Sequence, residues 1–296
     1  MDIIFLGTSC MVPTKERNHQ AIFVSRGTEG LLFDCGEGTQ RQFKIAGIKI
    51  TKITKIFISH WHGDHVLGLP GLLQTLNASD YEGRLEIYGP KGTQKYFESM
   101  FSAFSFKIGF EHIIREITAK TQLSFLDFRI DADLLDHSVP CLGYSLTETD
   151  RRRIKLPVVK KLGIPEGPLL GELQDGRTIV WKGKEVAPDE VTYIVKGKKV
   201  AVILDTVLCN PAVDLAKDAD LLICESVYTP DLISKAEEYK HMTTTQAAAL
   251  ANQAGVKKLI LTHFSQRYKT GQEVIDEAAP HFSEVVAAFD FMKLKL

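Results

Sequence analysis

The segment Ser59-His60-Trp61-His62-Gly63-Asp64-His65 concentrates three imidazoles and a carboxylate. Nitrogen and oxygen donors at that density suit a borderline-soft ion such as Zn²⁺. His60 and His62 stand two positions apart, so an extended backbone points both rings into one space. Gly63 then allows a turn, and Asp64 and His65 can aim at a second position. One short loop can thus serve two metals. With nothing bound, charged rings this close would repel one another and cost stability.

Two metals need more donors, and these should lie at strand ends facing one edge. The loop itself follows the apolar run Ile56-Phe57-Ile58. His137 precedes a strand over 138–147, Asp205 ends the apolar run 200–204, and His263 ends a strand over 258–262. Periodicity and β-branched content predict further strands over 2–6, 21–24, 31–33, 55–58, 84–88, 124–132, 190–195, 199–204 and 221–224. Helices are expected over 38–46, 69–78, 93–104, 212–217, 230–238, 244–254 and 271–279. Phe97, Phe101 and Phe104 form a stripe expected to pack the third of the predicted helices against the core. Buried runs such as Leu221-Leu222-Ile223-Cys224 call for sheets covered on at least one face. Mixed strands and helices fit a three- or four-layer α/β sandwich.

Composition sets outer limits. The 296 residues suffice for one large layered domain or two smaller ones. With 44% hydrophobic and 25% charged residues, a disordered chain, a collagen and a coiled coil are excluded. No apolar run approaches the roughly 18 residues of a membrane span. The N-terminus has no basic region followed by a long apolar one, so no secretory signal is expected. A net charge of −1 excludes a general polycation that coats nucleic acid, though not a local basic patch. The five cysteines are odd in number and form no C-x-x-C pair. They read as reduced thiols in a cytoplasm. His19, His112 and His281 lack any ligand context and read as structural or surface residues.

Residues 150–189 break the rhythm. Arg151, Arg152, Arg153, Lys155, Lys160 and Lys161 come with no acid among them, and a Pro- and Gly-rich stretch follows. That density forbids a long regular element and predicts an extended functional loop. From 150 to 190 there are nine Lys and Arg against seven Asp and Glu, a net of +2 polarised toward the start. Clustered cations of this kind suit a nucleic-acid backbone.

The H-x-H-x-D-H loop with downstream His137, Asp205 and His263 resembles the metallo-β-lactamase superfamily, whose fold is an αββα sandwich. The likeness narrows through Phe5-Leu6-Gly7-Thr8, Pro13-Thr14-Lys15-Glu16-Arg17-Asn18, Phe33-Asp34-Cys35-Gly36-Glu37-Gly38-Thr39-Gln40 and His263-Phe264-Ser265-Gln266-Arg267-Tyr268. These resemble the signature segments of the tRNase Z (ribonuclease Z) family. Gly163-x-Pro165-x-Gly167-Pro168 with Gly171 resembles that family's protruding tRNA-gripping arm. The resemblance implies one α/β catalytic domain over 1–296 with a flexible tRNA-binding arm inserted at 150–190. It implies the short, homodimeric form, working in the cytoplasm on precursor tRNA.

The same resemblance assigns His60, His62 and His137 to one zinc, Asp64, His65 and His263 to a second, and Asp205 as the bridge. Two zincs per chain would share a hydroxide and clamp the attacked phosphate. Asp64 would also take a proton from the attacking water. His241 is the candidate acid for the departing 3′-oxygen, oriented by Glu225. Here the chain departs from the family: His241-Met242-Thr243 replaces a His-Ser-Thr loop, and Cys224-Glu225-Ser226-Val227 replaces a His-Glu-Ala-Thr loop. Lys15, Arg17, Asn18, Ser265 and Arg267 are candidate contacts to the RNA 3′ end. Arg151, Arg152, Arg153, Gly167 and Pro168 are candidate arm contacts to the tRNA body. The activity implied is a zinc-dependent endoribonuclease that cuts after the discriminator base and leaves a tRNA 3′-hydroxyl and a 5′-phosphate trailer. Two alternatives are another hydrolase on this scaffold, such as a small-molecule phosphodiesterase, exonuclease or thioesterase, and a non-catalytic zinc-bearing RNA-binding protein.

Overall fold

A computed structural model describes residues 1–296. The chain divides into two compact units. One comprises residues 1–123, 130–146 and 199–296, and the other comprises 124–129 and 147–198.

The first unit is built on two seven-stranded sheets. The strands before the inserted segment are β1 (Asp2–Gly7), β2 (Ala21–Arg26), β3 (Glu29–Phe33), β4 (Lys55–Phe57), β5 (Leu85–Pro90), β6 (His112–Ile117), β7 (Thr121–Ser124), β8 (Phe128–Leu135) and β9 (Cys141–Glu148). The segment itself holds β10 (Arg151–Ile154), β11 (Ile179–Trp181), β12 (Lys184–Val186) and β13 (Thr192–Val195). After it come β14 (Lys199–Ile203), β15 (Leu221–Glu225), β16 (Leu259–Thr262), β17 (Val285–Ala287) and β18 (Lys293–Lys295). One sheet runs β18-β1-β2-β3-β4-β5-β6, the other β17-β16-β15-β14-β9-β8-β7. Pairing is parallel from β3 to β6 and from β14 to β17.

Side chains alternate across each strand. In β3 and β4, Leu32 and Ile56 join a cluster with Phe43, Leu72, Leu73, Leu76 and Phe97 from the helices Thr39–Ile45, Leu69–Ala78 and Thr93–Ser102. Their neighbours Phe33 and Phe57 stack on one another at 5.2 Å and meet Tyr144 of β9 at 5.9 and 5.3 Å. On the other side, Ala201, Ile203, Leu222 and Leu259 pack with Leu215 and Leu250 of the helices Asn210–Ala216 and Thr244–Ala254. The layers are therefore helix, sheet, sheet, helix, as the αββα expectation requires. Two polar links tie the sheets together beside the H-x-H-x-D-H loop. Tyr144 Oη donates to the Ile58 carbonyl at 2.7 Å, and Leu142 N donates to the Ser59 carbonyl at 2.9 Å.

Several element boundaries differ from the sequence reading. The strand expected over 124–132 is two strands, because Phe125 N bonds back to the Phe128 carbonyl at 2.9 Å and makes a turn. The strand expected from 138 begins at Cys141, since Pro140 has no N–H for a ladder. The helix over 93–104 stops at Ser102, and Phe104 is 47% exposed rather than packed in the core.

The segment expected to be an extended loop is the second unit. It folds into short elements: the antiparallel pair β10–β13, the hairpin β11–β12 and the helices Leu156–Leu162, Pro168–Gln174 and Pro188–Val191. None exceeds seven residues, in keeping with its Pro and Gly content. They enclose a small core of Val159, Ile164, Leu173, Ile179, Val186 and Val191.

The aromatic cluster between the sheets generates a stability prediction. Phe57 is fully buried. Phe57→Ala should lower the unfolding free energy by about 3–5 kcal/mol. In urea titration the midpoint should fall at nearly constant slope. A loss below ~1 kcal/mol would refute a tightly packed interface between the sheets.

Candidate metal centre

The potential ligands sit where strands end. His60, His62, Asp64 and His65 follow β4, His137 lies between β8 and β9, Asp205 follows β14, and His263 follows β16. Carboxyl ends of parallel strands are the usual place for a site in such sheets. Asp205 and His263 have φ of 45° and 60°, and so does a third residue behind the cluster, Asp34, at 57° after β3. Left-handed backbone at a non-glycine residue costs on the order of 1–3 kcal/mol. At these strand ends it turns the chain sharply while keeping the side chain at the edge.

The donors converge in two sets. In the first, His60 Nε2 lies 2.9 Å from His62 Nδ1, His137 Nε2 lies 3.4 Å from His62 Nδ1, and Asp205 Oδ2 is 3.6 Å from His60 Nε2. In the second, His65 Nε2 and His263 Nε2 are 3.1 Å apart, and Asp64 Oδ2 is 3.4 and 3.3 Å from them. Asp205 Oδ1 completes that set, 3.5 Å from His65 Nε2 and 3.2 Å from His263 Nδ1. The two oxygens of one carboxylate thus face different sets.

This arrangement fits divalent cations. Zinc–nitrogen bonds of about 2.0–2.1 Å put neighbouring tetrahedral ligands ~3.3 Å apart. Asp64 Oδ1, Asp205 Oδ1 and His263 Nδ1 are buried without a hydrogen-bond partner. Buried polar atoms left unpaired are costly, and a cation would satisfy them. The charge state suits the same end. Burial, reinforced mainly by neighbouring imidazoles, holds His60 and His62 below their ordinary pKa. Burial lowers His137 as well. Burial would raise Asp64 and Asp205, but the surrounding imidazoles override it and keep both well below the usual carboxylate range. His65 is the exception: despite burial, Asp64, Asp205 and Asp34 push it up.

The other ring nitrogens are held from behind. Asp34 is buried and accepts from Ser59 N at 2.7 Å, Ser59 Oγ at 2.8 Å and His65 Nδ1 at 2.7 Å. His137 Nδ1 donates to the Lys240 carbonyl at 3.0 Å. Such partners fix the ring and expose the opposite nitrogen. Glu225 is fully buried and accepts three bonds, from Thr206 N at 2.6 Å, Met242 N at 3.2 Å and His241 Nδ1 at 3.1 Å. Burial opposes protonation of His241, but Glu225 overrides it and raises the ring to about 9. His241 does not cap the following helix. Thr243 does, through a capping box with Gln246. A cavity of about 420 Å³ joins Cys10, His62, Asp64, His137, Asp205 and His241.

The remaining predicted site residues divide by what they touch. Lys15 is exposed. Arg17 is spent on the protein itself, donating to the Ser265 and Tyr268 carbonyls at 3.3 and 2.6 Å. Asn18 donates to the Glu37 carbonyl at 2.8 Å. Arg267 is exposed, bonds Ser265 Oγ at 3.0 Å and lies over the Tyr228 ring. Arg151, Arg152, Arg153, Gly167 and Pro168 belong to the second unit. There Arg152 pairs with Asp189 and bonds Thr192 Oγ1 at 2.9 Å, while Gly167, at φ 142°, starts the helix that opens with Pro168. Three residues carry no assigned role in the sequence reading. Asp34 orients His65. Cys10 stands beside Asp64 and His263. Asp290 accepts from Thr8 Oγ1, Asn18 N and Gln42 Nε2 at 2.9, 2.7 and 3.0 Å. Only Asp34 lay in a quoted motif.

Comparison with known proteins places this geometry. The family model of the metallo-beta-lactamase superfamily matches residues 14–145. The chain is 41% identical to ribonuclease Z of Nocardia farcinica over 298 residues, covering 100% of this chain and 97% of that protein. It is 39% identical to ribonuclease Z of Archaeoglobus fulgidus over 299 residues, covering 99% and 97%. Among solved structures, human tRNase Z, short form, superposes with a TM-score of 0.73 at 29% identity, covering 100% of this chain and 99% of that one.

The buried carboxylate behind His65 gives a second prediction. Asp34→Asn should weaken metal binding by about 10–100-fold, as loss of an orienting partner does elsewhere. Competition against a chromogenic chelator measures it. Wild-type affinity in the variant would remove Asp34 from the account.

Proposed function

Because the chain belongs to the ribonuclease Z family of the metallo-beta-lactamase superfamily, we propose that this endoribonuclease removes the 3′ trailer from precursor tRNA. The cut falls after the discriminator base. The observation that most supports this reading is the convergence of seven donors in two sets sharing Asp205, with His241, 3.1 Å from the buried Glu225, lining the same cavity as Asp64 and Asp205. His60, His62 and His137 would hold one zinc, Asp64, His65 and His263 the other, and Asp205 both. Bound zinc would acidify a water molecule and neutralise charge on the attacked phosphate.

The chain's own residues do the rest. Asp64 takes the proton that the attacking water loses. Its Oδ2 also accepts from Met11 N at 2.7 Å, which holds the carboxylate in place. The water oxygen joins phosphorus, and the bond from phosphorus to the 3′-oxygen of the discriminator nucleotide breaks. His241 delivers a proton to that oxygen from Nε2, since Glu225 occupies Nδ1. The tRNA keeps a 3′-hydroxyl and the trailer leaves with a 5′-phosphate. Lys15, Arg267 and Ser265 contact the 3′ end. Arg17 and Asn18 shape the loop that carries Lys15. The inserted unit at 150–190, with Arg151, Arg152, Arg153, Gly167 and Pro168, grips the tRNA body by shape and backbone charge. The protein works as a homodimer in the cytoplasm. No helix is long and apolar enough to cross a membrane.

A precursor tRNA labelled in its trailer tests the reaction. A trailer with a 5′-phosphate should be released, activity should vanish on full zinc removal, and elemental analysis should find two zincs per chain. Trailer release that survives complete chelation would overturn the mechanism. Deleting residues 151–188 tests the grip. Precursor processing should fall by orders of magnitude while a small model phosphodiester is still cut. Equal losses on both substrates would sink the assignment of that segment to tRNA.

A further inference from the structure

Beside the catalytic cleft lies a second cavity, of about 240 Å³, lined by Trp61, Pro90, Lys91, Tyr96, Val139 and Pro140. Two of its walls come from the loops that carry the metal donors. Trp61 stands between His60 and His62, and Val139 and Pro140 follow His137 by two and three residues.

The aromatic wall is fixed in place. Trp61 Nε1 donates to Thr93 Oγ1 at 2.9 Å, and that buried hydroxyl donates to the Pro90 carbonyl at 2.7 Å. The indole's only polar atom is thereby satisfied, leaving its apolar rings to line the cavity. Tyr96 stands 5.5 Å away at 42° to the indole and is 48% exposed. The two rings form an inclined pair rather than a closed stack. Lys91 is exposed and has no carboxylate in salt-bridge range. No acidic side chain lines the cavity. Aromatic faces, two prolines and one unpaired cation, beside a cleft that attacks a phosphodiester, match a nucleobase and its phosphate. Unpaired bases are bound by stacking on aromatic rings, with cations along the backbone.

We propose that this cavity is a stacking subsite for an unpaired base of the RNA 3′ end, flanking the attacked linkage, with Lys91 facing that nucleotide's phosphate. The proposal rests on the RNA-cleaving reading of the neighbouring cleft. It adds a specificity element: the enzyme distinguishes a single-stranded 3′ end from a paired one at this pocket.

The chain has only two tryptophans, so Trp181→Phe leaves Trp61 as the sole indole reporter. The full-length protein is titrated with short single-stranded RNA made hydrolysis-resistant by phosphorothioate linkages, and with duplex RNA of the same composition. Single-stranded RNA should quench Trp61 emission and duplex RNA should not. Tyr96→Ala should weaken single-strand binding about 10-fold, within the range for losing one base–aromatic stack, and Lys91→Glu should weaken it and flatten its salt dependence through loss of a phosphate contact. Binding seen by anisotropy of labelled RNA but silent at Trp61 would overturn the subsite. So would an emission change that follows protein concentration alone, which would mean a second copy of the chain covers the pocket. Failure of the cleavage reading is read separately: precursor tRNA would then stay uncut while Trp61 still responded to single-stranded RNA.

Discussion

Everything in the larger unit answers to one constraint: a buried carboxylate, Asp205, has imidazoles on both its oxygens. Only 2% of Asp205 is exposed, and His60, His65, His137, His241 and His263 all approach it within 4 Å. A charge so placed is expensive unless matched. The surrounding architecture supplies the match by bringing loops from two sheets to one point. The bonds from Leu142 N to Ser59 and from Tyr144 to Ile58 hold those sheets in fixed relation where it matters most.

The site is also layered outward from its donors. Asp34 backs His65, the Lys240 carbonyl backs His137, and Glu225 backs His241. Each rear contact engages one ring nitrogen and leaves the other for the cleft. Glu225 does more, since its bonds to Thr206 N and Met242 N tie the backbone beyond β14 to the loop before the last long helix. Orientation and loop geometry are therefore set by the same carboxylate, and neither can drift without the other.

How much of this is legible in the sequence depends on range. The H-x-H-x-D-H spacing is local, and so are the apolar runs that end at Asp205 and His263; the donors could be named from them. The αββα order and the pairing of Glu225 with His241 came through family resemblance, the second across two loops that depart from the family pattern. What stayed hidden lacks a local signal. β6, His-Ile-Ile-Arg-Glu-Ile, alternates poorly, and β18, Lys-Leu-Lys, is a three-residue edge strand defined only by pairing with β1. The inserted segment looked like a loop because each helix is short and two begin with proline; its core residues, from Val159 to Val191, meet only in three dimensions. The backs of the rings, Asp34 among them, depend on left-handed turns that no residue type announces.

Asp290 carries a consequence for how the molecule comes into being. It fastens Thr8 and Asn18 from 282 and 272 positions away, and β1 pairs with β18 across almost the same span. Closing so long a loop is slow and costs chain entropy. A ribosome emits N-terminal segments first. The rim of the cleft at residues 8–18 thus lacks its Asp290 anchor until that residue has been made, and a nascent chain truncated before it has the donors of its first loop but no finished mouth around them.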